Sequence, residues 1–465
     1  MIALCAMGIT KPNSPLPLKQ QLLQKPLQKL WQSLPPRQQG NRYIVAYSGG
    51  MDSSVLLHAL RDVSDIRAVH VNHGMQAQAA AWEQHCEKSC QQWDIPITIC
   101  RVQPDTSQNG PEAGARYARY AALANVMQAG DVLLTAQHAH DQAETFLLQA
   151  LRGAGIHGLA GMPALAPFGP GQIARPILGI SRPELLEYAQ TNELVWVEDP
   201  SNADSNLSRA YLRTQVSPHV KQKWPGFEQR LARSARWCAD ASELADEFAA
   251  IDFLGCQGPV DNCLSAAALK TLSAVRQNNL LRYWLKQLDL ALPDHRHMQQ
   301  IKQLLDTDQH DSHPLVHWAD VDVRRFQDWV FAMPALVPVP KQFSLDWDMR
   351  EPLVLPAGCG QLESLGPQPT SPVTVRMRRG GERLQLNGRD HHTSLKQLLQ
   401  ASKMPSWVRE RLPLVFIDQE LVAVADYWHS DTYTTKVQTP APRLRWSGAP
   451  PGAELVRVVG NNAFS

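Results

Sequence analysis

At 465 residues the chain exceeds a lone small binding module and has room for about three domains at ~150 residues each. Its 44% hydrophobic, 7% aromatic and 19% charged residues supply an ordinary folded core and exclude a disordered chain. The 45 Lys and Arg against 44 Asp and Glu leave a formal charge of +1, so a polyanionic partner must be held by local patches rather than by a global field.

The eight cysteines match neither a disulfide framework nor a zinc ribbon: Cys86 and Cys90 share a predicted helix face and the rest are scattered, which points to a reducing, cytoplasmic setting. Met1 to Thr10 is apolar but lacks the basic residue of a secretion signal. The longest apolar run, Trp329 to Val339, is broken by Pro334 and Pro338, so no membrane span is expected.

In chain order, Leu22, Leu23, Leu27 and Leu30 predict a short helix between Pro12 and Gly40. From Arg42 to about Asp199, the apolar runs R-Y-I-V-A-Y, I-R-A-V-H-V, I-T-I-C-R-V and V-L-L-T-A alternate with helical stretches. Continuous apolar strands with crossover helices predict a Rossmann-like α/β domain with a parallel sheet, over 1–225, whose ligand crevice lies at the carboxyl ends of the strands. Leu207 to Arg236 carries seven basic residues against Glu228 alone, whereas Trp237 to Cys263 carries six acidic residues and no Lys or Arg. This sign change marks a boundary, after which Leu269, Leu272, Leu280, Leu281, Trp284, Leu285 and Leu288 predict a small helical domain over 226–333, with Trp284, Trp318 and Trp329 in its core. P-A-L-V-P-V-P (334–340) reads as a stiff linker, and strand-period runs around the helical stretch Ser394–Ser402 predict an α+β domain over 341–465.

The sharpest chemical signal is Ser48-Gly49-Gly50-Met51-Asp52-Ser53, between the first strand and the helix V-L-L-H-A-L. Two glycines permit a sharp turn and close approach, the helix N-terminus offers unpaired N–H groups, and the serines add hydroxyls, which together suit phosphate. The loop is neither G-x-x-x-x-G-K-[ST] nor G-x-G-x-x-G. Asp52 suits Mg²⁺, which takes one or two carboxylates plus phosphate oxygens, and it equally suits a helix N-terminus. His138, Asp141 and Glu144 recur every three residues on one helical face at the crevice, and Glu112, Arg116 and Arg119 share another.

This S-G-G-x-D-S loop resembles that of the PP-loop ATP pyrophosphatases, which cleave ATP between the α and β phosphates. H-V-N-H-G-M (70–75), E-A-G-A-R-Y-A-R-Y (112–120), T-A-Q-H-A-H-D-Q-A-E-T (135–145), R-G-A-G-I-H-G-L-A-G-M (152–162), A-R-P-I-L (174–178), W-V-E-D-P-S-N (196–202) and R-A-Y-L-R (209–213) follow it in order. With R-R-G-G-E-R-L-Q (378–385), S-L-K-Q-L-L-Q (394–400) and R-E-R-L-P-L-V-F (409–416), the series resembles the tRNA(Ile)-lysidine synthetase family. The resemblance implies a ligase that adenylates oxygen 2 of the wobble cytidine of a CAU-anticodon isoleucine tRNA with ATP and Mg²⁺. Free L-lysine then displaces AMP at carbon 2 to give lysidine.

Carried onto this chain, the resemblance implies that Ser48, Gly49, Gly50, Met51, Asp52 and Ser53 bind ATP, and that Asp52 and Asp141 hold metal. Asp52, His138, Asp141, Glu144, Arg119 and Arg209 then serve catalysis, with Asp141 or Glu144 receiving the lysine ammonium. Arg213, Arg378, Arg379, Arg383, Lys396 and Arg409 would contact tRNA. Val373 to Leu412 is a second segment of net charge +6, in which Trp407 offers a stacking face. Two departures stand out: His140-Asp141-Gln142 where the family has D-D-Q, and Ala210 where it has Asn. The rival readings are another PP-loop tRNA-modifying enzyme, against which the lack of paired C-x-x-C counts, and a catalytically weakened tRNA-binding protein, motivated by His140. The oligomeric state is open.

Overall fold

The computed structural model describes residues 41–63, 65–74, 78–104, 110–198, 208–306, 314–340, 342–356, 358–365, 373–386, 391–402, 404–430, 433 and 443–455, with the side chains of 110–113 excepted. The helix expected between Pro12 and Gly40, the Glu112 side chain and residues 199–202 therefore lie outside the described residues. The chain divides into two compact units, Met1–Leu244 and Ala245–Ser465.

The first unit runs β1 (Tyr43–Ala46), α1 (Met51–Ala59), β2 (Ile66–Asn72), α2 (Ala79–Gln92), β3 (Ile97–Arg101), α3 (Gly110–Val126), β4 (Val132–Leu134) and α4 (Ala139–Leu151). It continues through α5 (Ile156–Leu159), the hairpin β5 (Leu165–Phe168) and β6 (Gly171–Ala174), α6 (Arg182–Thr191), α7 (Ser208–Tyr211), a π-helical turn at Leu212–Val216, α8 (Ser217–Lys223) and α9 (Phe227–Cys256), which runs across the division. The sheet order is β3-β2-β1-β4-β6-β5, parallel except for β5 against β6. Side chains alternate across it. Tyr43 and Val45 pack with Val55, Leu56, Cys86, Cys90 and Leu185 from α1, α2 and α6, while Ile44, Val69 and Leu133 pack with Leu123 of α3 and with Met127 just after it. Burial on both faces explains the unbroken apolar strands. The order reverses beside β1, whose neighbours are β2 and β4, so the β1–α1 loop and the β4–α4 junction open on the crevice at the switch point.

In the second unit, β7 (Cys263–Ser265), α10 (Ala266–Thr271), α11 (Ala274–Gln287) and α12 (His295–Asp306) precede β8 (Leu315–Trp318), β9 (Val321–Phe326) and β10 (Trp329–Pro334). The helices match the sequence reading, but this segment also holds the antiparallel sheet β7-β10-β9-β8. Its signal was the period-two burial of β8, short enough to be read as the tail of a helical pattern. Trp284 and Trp318 are in the core of this segment as expected, whereas Trp329 is partly buried against a separate core that holds Phe331 and Trp407.

Next come β11 (Ser344–Trp347), β12 (Leu353–Val354), β13 (Gln361–Leu365), β14 (Val373–Met377), β15 (Arg383–Gln385), β16 (His392–Ser394), α13 (Leu395–Ala401), α14 (Ser406–Arg409), β17 (Pro413–Ile417), β18 (Glu420–Val424), β19 (Trp428–His429) and β20 (Arg443–Ser447). They form the sheets β11-β14-β17-β18-β19 and β12-β13-β20 and the ribbon β15-β16, an α+β arrangement. Trp407 corrects the sequence reading: it is 1% exposed, its Nε1 donates to Pro451 O at 2.7 Å, and its ring meets Phe331 edge-on, so it is core and offers no stacking face. No helix among the described residues is long and apolar enough to cross a membrane.

Candidate active site

The loop after β1 is built for close approach. Gly49 has φ 79°, and a Cβ there would lie 2.9 Å from Cys86 Sγ and 3.2 Å from Val197 Cγ2, so neither a side chain nor an ordinary residue's backbone fits. Ser53 Oγ accepts from Ser48 N at 3.2 Å and donates to Gly50 O at 2.9 Å, which closes the turn on itself. Gly50 caps α1 without a side chain, leaving the first-turn N–H groups of that helix without a side-chain cap. Beneath the loop, His70 Nδ1 bonds Tyr47 O at 2.9 Å and lies 3.3 Å from the sulfur of buried Cys86.

Across the switch point, α4 starts with a reciprocal cap. The His138 amide donates to Asp141 Oδ2 at 3.0 Å, and the His140 amide donates to His138 Nδ1 at 3.1 Å. Because Nδ1 accepts, Nε2 carries the proton, and it faces Asp52 Oδ2 and Asp141 Oδ2, each at 3.6 Å. Burial works to raise the Asp52 carboxyl, but His138, Arg182 and Arg213 outweigh it and hold Asp52 below its ordinary value. Burial likewise opposes charge on His138, yet Asp52 and Asp141 raise it overall. Asp52 Oδ1 is shut off from solvent without a hydrogen-bond partner, an open valence beside the loop.

Glu144, one turn on, is 3% exposed. Both its oxygens are taken by Arg213, with Nε to Oε1 at 2.7 Å and Nη2 to Oε2 at 3.0 Å; Arg213 Nη2 also stands 3.6 Å from Asp141 Oδ1. Burial pushes the Glu144 carboxyl up and Arg213 holds it back, while the pair keeps the guanidinium charged. Arg213, expected to contact tRNA, is paired inside the site, where both Glu144 oxygens accept from it and Asp141 accepts from the His138 amide.

Arg209 Nη2 donates to Thr145 Oγ1 at 3.3 Å. Arg119 is lowered first by burial and then by Arg116 and Arg209, so three guanidiniums of this region repel one another. No described carboxylate pairs with Arg119, an arrangement suited to a polyanion. Sequence reasoning missed Arg182, which follows the N-cap Ser181 and adds positive field at Asp52, and Glu228, whose Oε1 lies 2.8 Å from His140 Nε2. The signal for Glu228 was its isolation as the one acid in a basic stretch. Among the described residues no cluster of three or more His, Cys, Asp or Glu is arranged to hold a metal.

In the second unit the R-R-G-G-E turn wraps a buried carboxylate. Glu382 accepts from Arg379 N at 2.7 Å, from Gly380 N at 3.0 Å and from Arg376 Nη1 at 3.0 Å, with Gly380 and Gly381 both left-handed at φ 100° and 84°. Arg379, Arg383 and Lys396 are exposed. Arg378 is half-buried with its Nε unpartnered, and its charge, after burial, lowers Arg409, whose own Nε donates to Met404 O at 2.6 Å. Beside the turn, Arg376, Arg383, His391, His392 and Phe416 line an open cleft of about 770 Å³.

A PP-loop domain matches residues 19–220, a TilS substrate binding domain 264–331, and a TilS substrate C-terminal domain 373–446. The tRNA(Ile)-lysidine synthase of Xanthomonas campestris pv. campestris is 40% identical over 88% of this chain and 95% of its own. That of Pseudomonas aeruginosa is 41% identical over 86% and 92%, and that of Serratia proteamaculans 38% over 87% and 95%. A loop shaped for phosphate, a carboxylate–imidazole pair facing it, a basic turn in the second unit and this likeness along nearly the whole length place the chain in the tRNA(Ile)-lysidine synthase family.

Proposed function

We propose that the chain attaches the ε-amine of free L-lysine to carbon 2 of the wobble cytidine of an isoleucine tRNA with a CAU anticodon, in the cytoplasm. The observation that carries this reading is Asp52, whose buried, unpartnered Oδ1 stands beside a glycine loop while His138 faces its other oxygen. In the first step oxygen 2 of the base attacks the α-phosphorus of ATP, and the bond to pyrophosphate breaks. In the second, the lysine nitrogen bonds carbon 2, AMP leaves with the oxygen, and the nitrogen loses a proton.

The loop amides and the serine hydroxyls hold the departing phosphates, where negative charge grows. Arg119 and Arg209 face the same charge from α3 and α7. His138, its Nδ1 held as an acceptor by the His140 amide, donates from Nε2 toward that region. The donor set suits Mg²⁺, which takes few protein ligands and fills its shell with phosphate oxygens and water: Asp52 and Asp141 would hold it, and it would neutralise the phosphates when bound. Asp141 or Glu144 docks the lysine ammonium after pyrophosphate has left, with Arg213 fixing the wall behind them. Arg378, Arg379, Arg383, Lys396 and Arg409 grip the tRNA backbone.

The test is pyrophosphate release from ATP with each component left out in turn. Release that requires the CAU-anticodon isoleucine transcript, and that proceeds without lysine, supports adenylation of tRNA as the first step. Release independent of tRNA contradicts it.

A further inference from the structure

We propose that Glu228 is a positioning residue for adenylate formation, acting through His140 on His138. The proposal rests on the reading in which Asp52 and His138 serve that step.

Glu228 lies in the first turn of α9, where a helix N-terminus favours a carboxylate, and it is 4% exposed. A carboxylate so buried needs a partner, and its near one is the His140 ring at 2.8 Å. Lys221 Nζ is 3.9 Å away on an exposed side chain, which makes it a weak contact. Glu228 thus fixes the orientation of the His140 ring. That ring stands edge-on to His138, with centroids 5.6 Å apart and planes at 86°, and the same residue's amide donates to His138 Nδ1. The amide, held by the start of α4, sets the tautomer that points N–H at Asp52, and the His140 ring held by Glu228 packs on the His138 ring, so the order of contacts is Glu228, the His140 ring, the His138 ring, Asp52. This also accounts for His140 where the family has aspartate: with Glu228 opposite, an aspartate would bring two carboxylates together in a buried place. Imidazole and Glu228 form a matched pair, and the loss of an acid at 140 is not by itself a sign of lost activity.

The experiment uses the full chain with tRNA, ATP and Mg²⁺, and compares Glu228→Ala, Glu228→Gln, His140→Asp, and His140→Asp combined with Glu228→Arg. Removing such an outer partner typically costs about 10–100-fold in activity. We therefore expect Glu228→Ala to lower kcat for pyrophosphate release by at least about tenfold with the KM for tRNA unchanged, and Glu228→Gln, which keeps an acceptor oxygen, to stay within about threefold of the parent. His140→Asp should fall at least as far as Glu228→Ala, and the charge-swapped double variant should regain most of the loss. Nitrogen NMR of His138 supplies a readout without turnover: bare Nδ1 and protonated Nε2 in the parent, with shifted and broadened ring resonances in Glu228→Ala as the packing against the His140 ring is lost. An unchanged kcat with unchanged His138 resonances in Glu228→Ala overturns the proposal. So does a double variant no better than His140→Asp alone, and if His140→Asp fails to fold, recovery of folding by the second substitution still decides. A parent chain that releases no pyrophosphate contradicts the assigned reaction instead, and the His138 resonances still report on Glu228.

Discussion

Arg213 grips Glu144 with one edge of its guanidinium, Nε and Nη2 closing two hydrogen bonds of 2.7 and 3.0 Å on a carboxylate almost wholly removed from water. Breaking such a pair from one side leaves a buried charge alone. Arg213→Ala should lower unfolding stability by about 3 kcal/mol, whereas Glu144→Gln, which removes the charge with little change of shape, should cost clearly less. Urea unfolding of both variants checks the order. Equal losses, or a larger one for Glu144→Gln, would mean that the pair is not held as described.

Asp52 is the carboxylate nearest the loop, and the proposed function gives it an electrostatic rather than a structural role. Asp52→Asn should cut tRNA-dependent pyrophosphate release by about 10²–10³-fold while leaving tRNA affinity nearly unchanged. Filter binding and a pyrophosphate assay on the same preparation separate the two effects. Normal release would remove Asp52 from the mechanism.

The placement of Asp52 opposite α4 was legible from apolar periodicity, because four strands and their crossovers imply a parallel sheet and a crevice at its carboxyl ends. Side-chain partners were not legible. Three-residue spacing put His138, Asp141 and Glu144 on one face, but spacing is silent on Arg213, 69 residues beyond Glu144, which turns that carboxylate from a free group into a paired one. Trp407 failed for a similar reason: a tryptophan inside a basic stretch reads as a stacking platform until Phe331, far off in sequence, is seen packed on it. The sheet between residues 263 and 334 was hidden by short strands, whose few alternations are easily absorbed into a helical count.

His58 gives the first unit a pH dependence of predictable sign. It lies on α1, bonds the Tyr188 hydroxyl at 3.1 Å, and is pushed down to about 4 by burial and then by Arg61. The unfolded chain, with an ordinary histidine near 6.5, binds more protons between those values than the folded one does. Stability from this group is therefore complete above 6.5 and is lost as pH falls toward 4, by about 2 kcal/mol between pH 7 and pH 5. Urea midpoints across that window should fall less steeply in His58→Gln. Parallel curves for the variant and the parent would assign the dependence to other groups.

The turn around Glu382 presents exposed Arg379 beside half-buried Arg378. Replacing both by alanine should weaken tRNA binding and flatten the plot of log affinity against log salt by about 0.7–0.9 for each phosphate that is no longer neutralised. Saturating tRNA should restore most of the chemical rate if, as proposed, the turn holds the body of the substrate rather than the reacting base. An unchanged slope would show that this face meets only solvent.

The central claim is the identity of the product, because a loop that activates an oxygen as its adenylate serves sulfur, ammonia or an amine equally well. The deciding measurement is mass spectrometry of nucleosides from a CAU-anticodon isoleucine tRNA incubated with the chain, ATP, Mg²⁺ and lysine. The expected product is a nucleoside with the mass of cytidine plus lysine minus water, which disappears when lysine is omitted. Thiolated or aminated cytidine, or unmodified cytidine under saturating ATP and lysine, would contradict it.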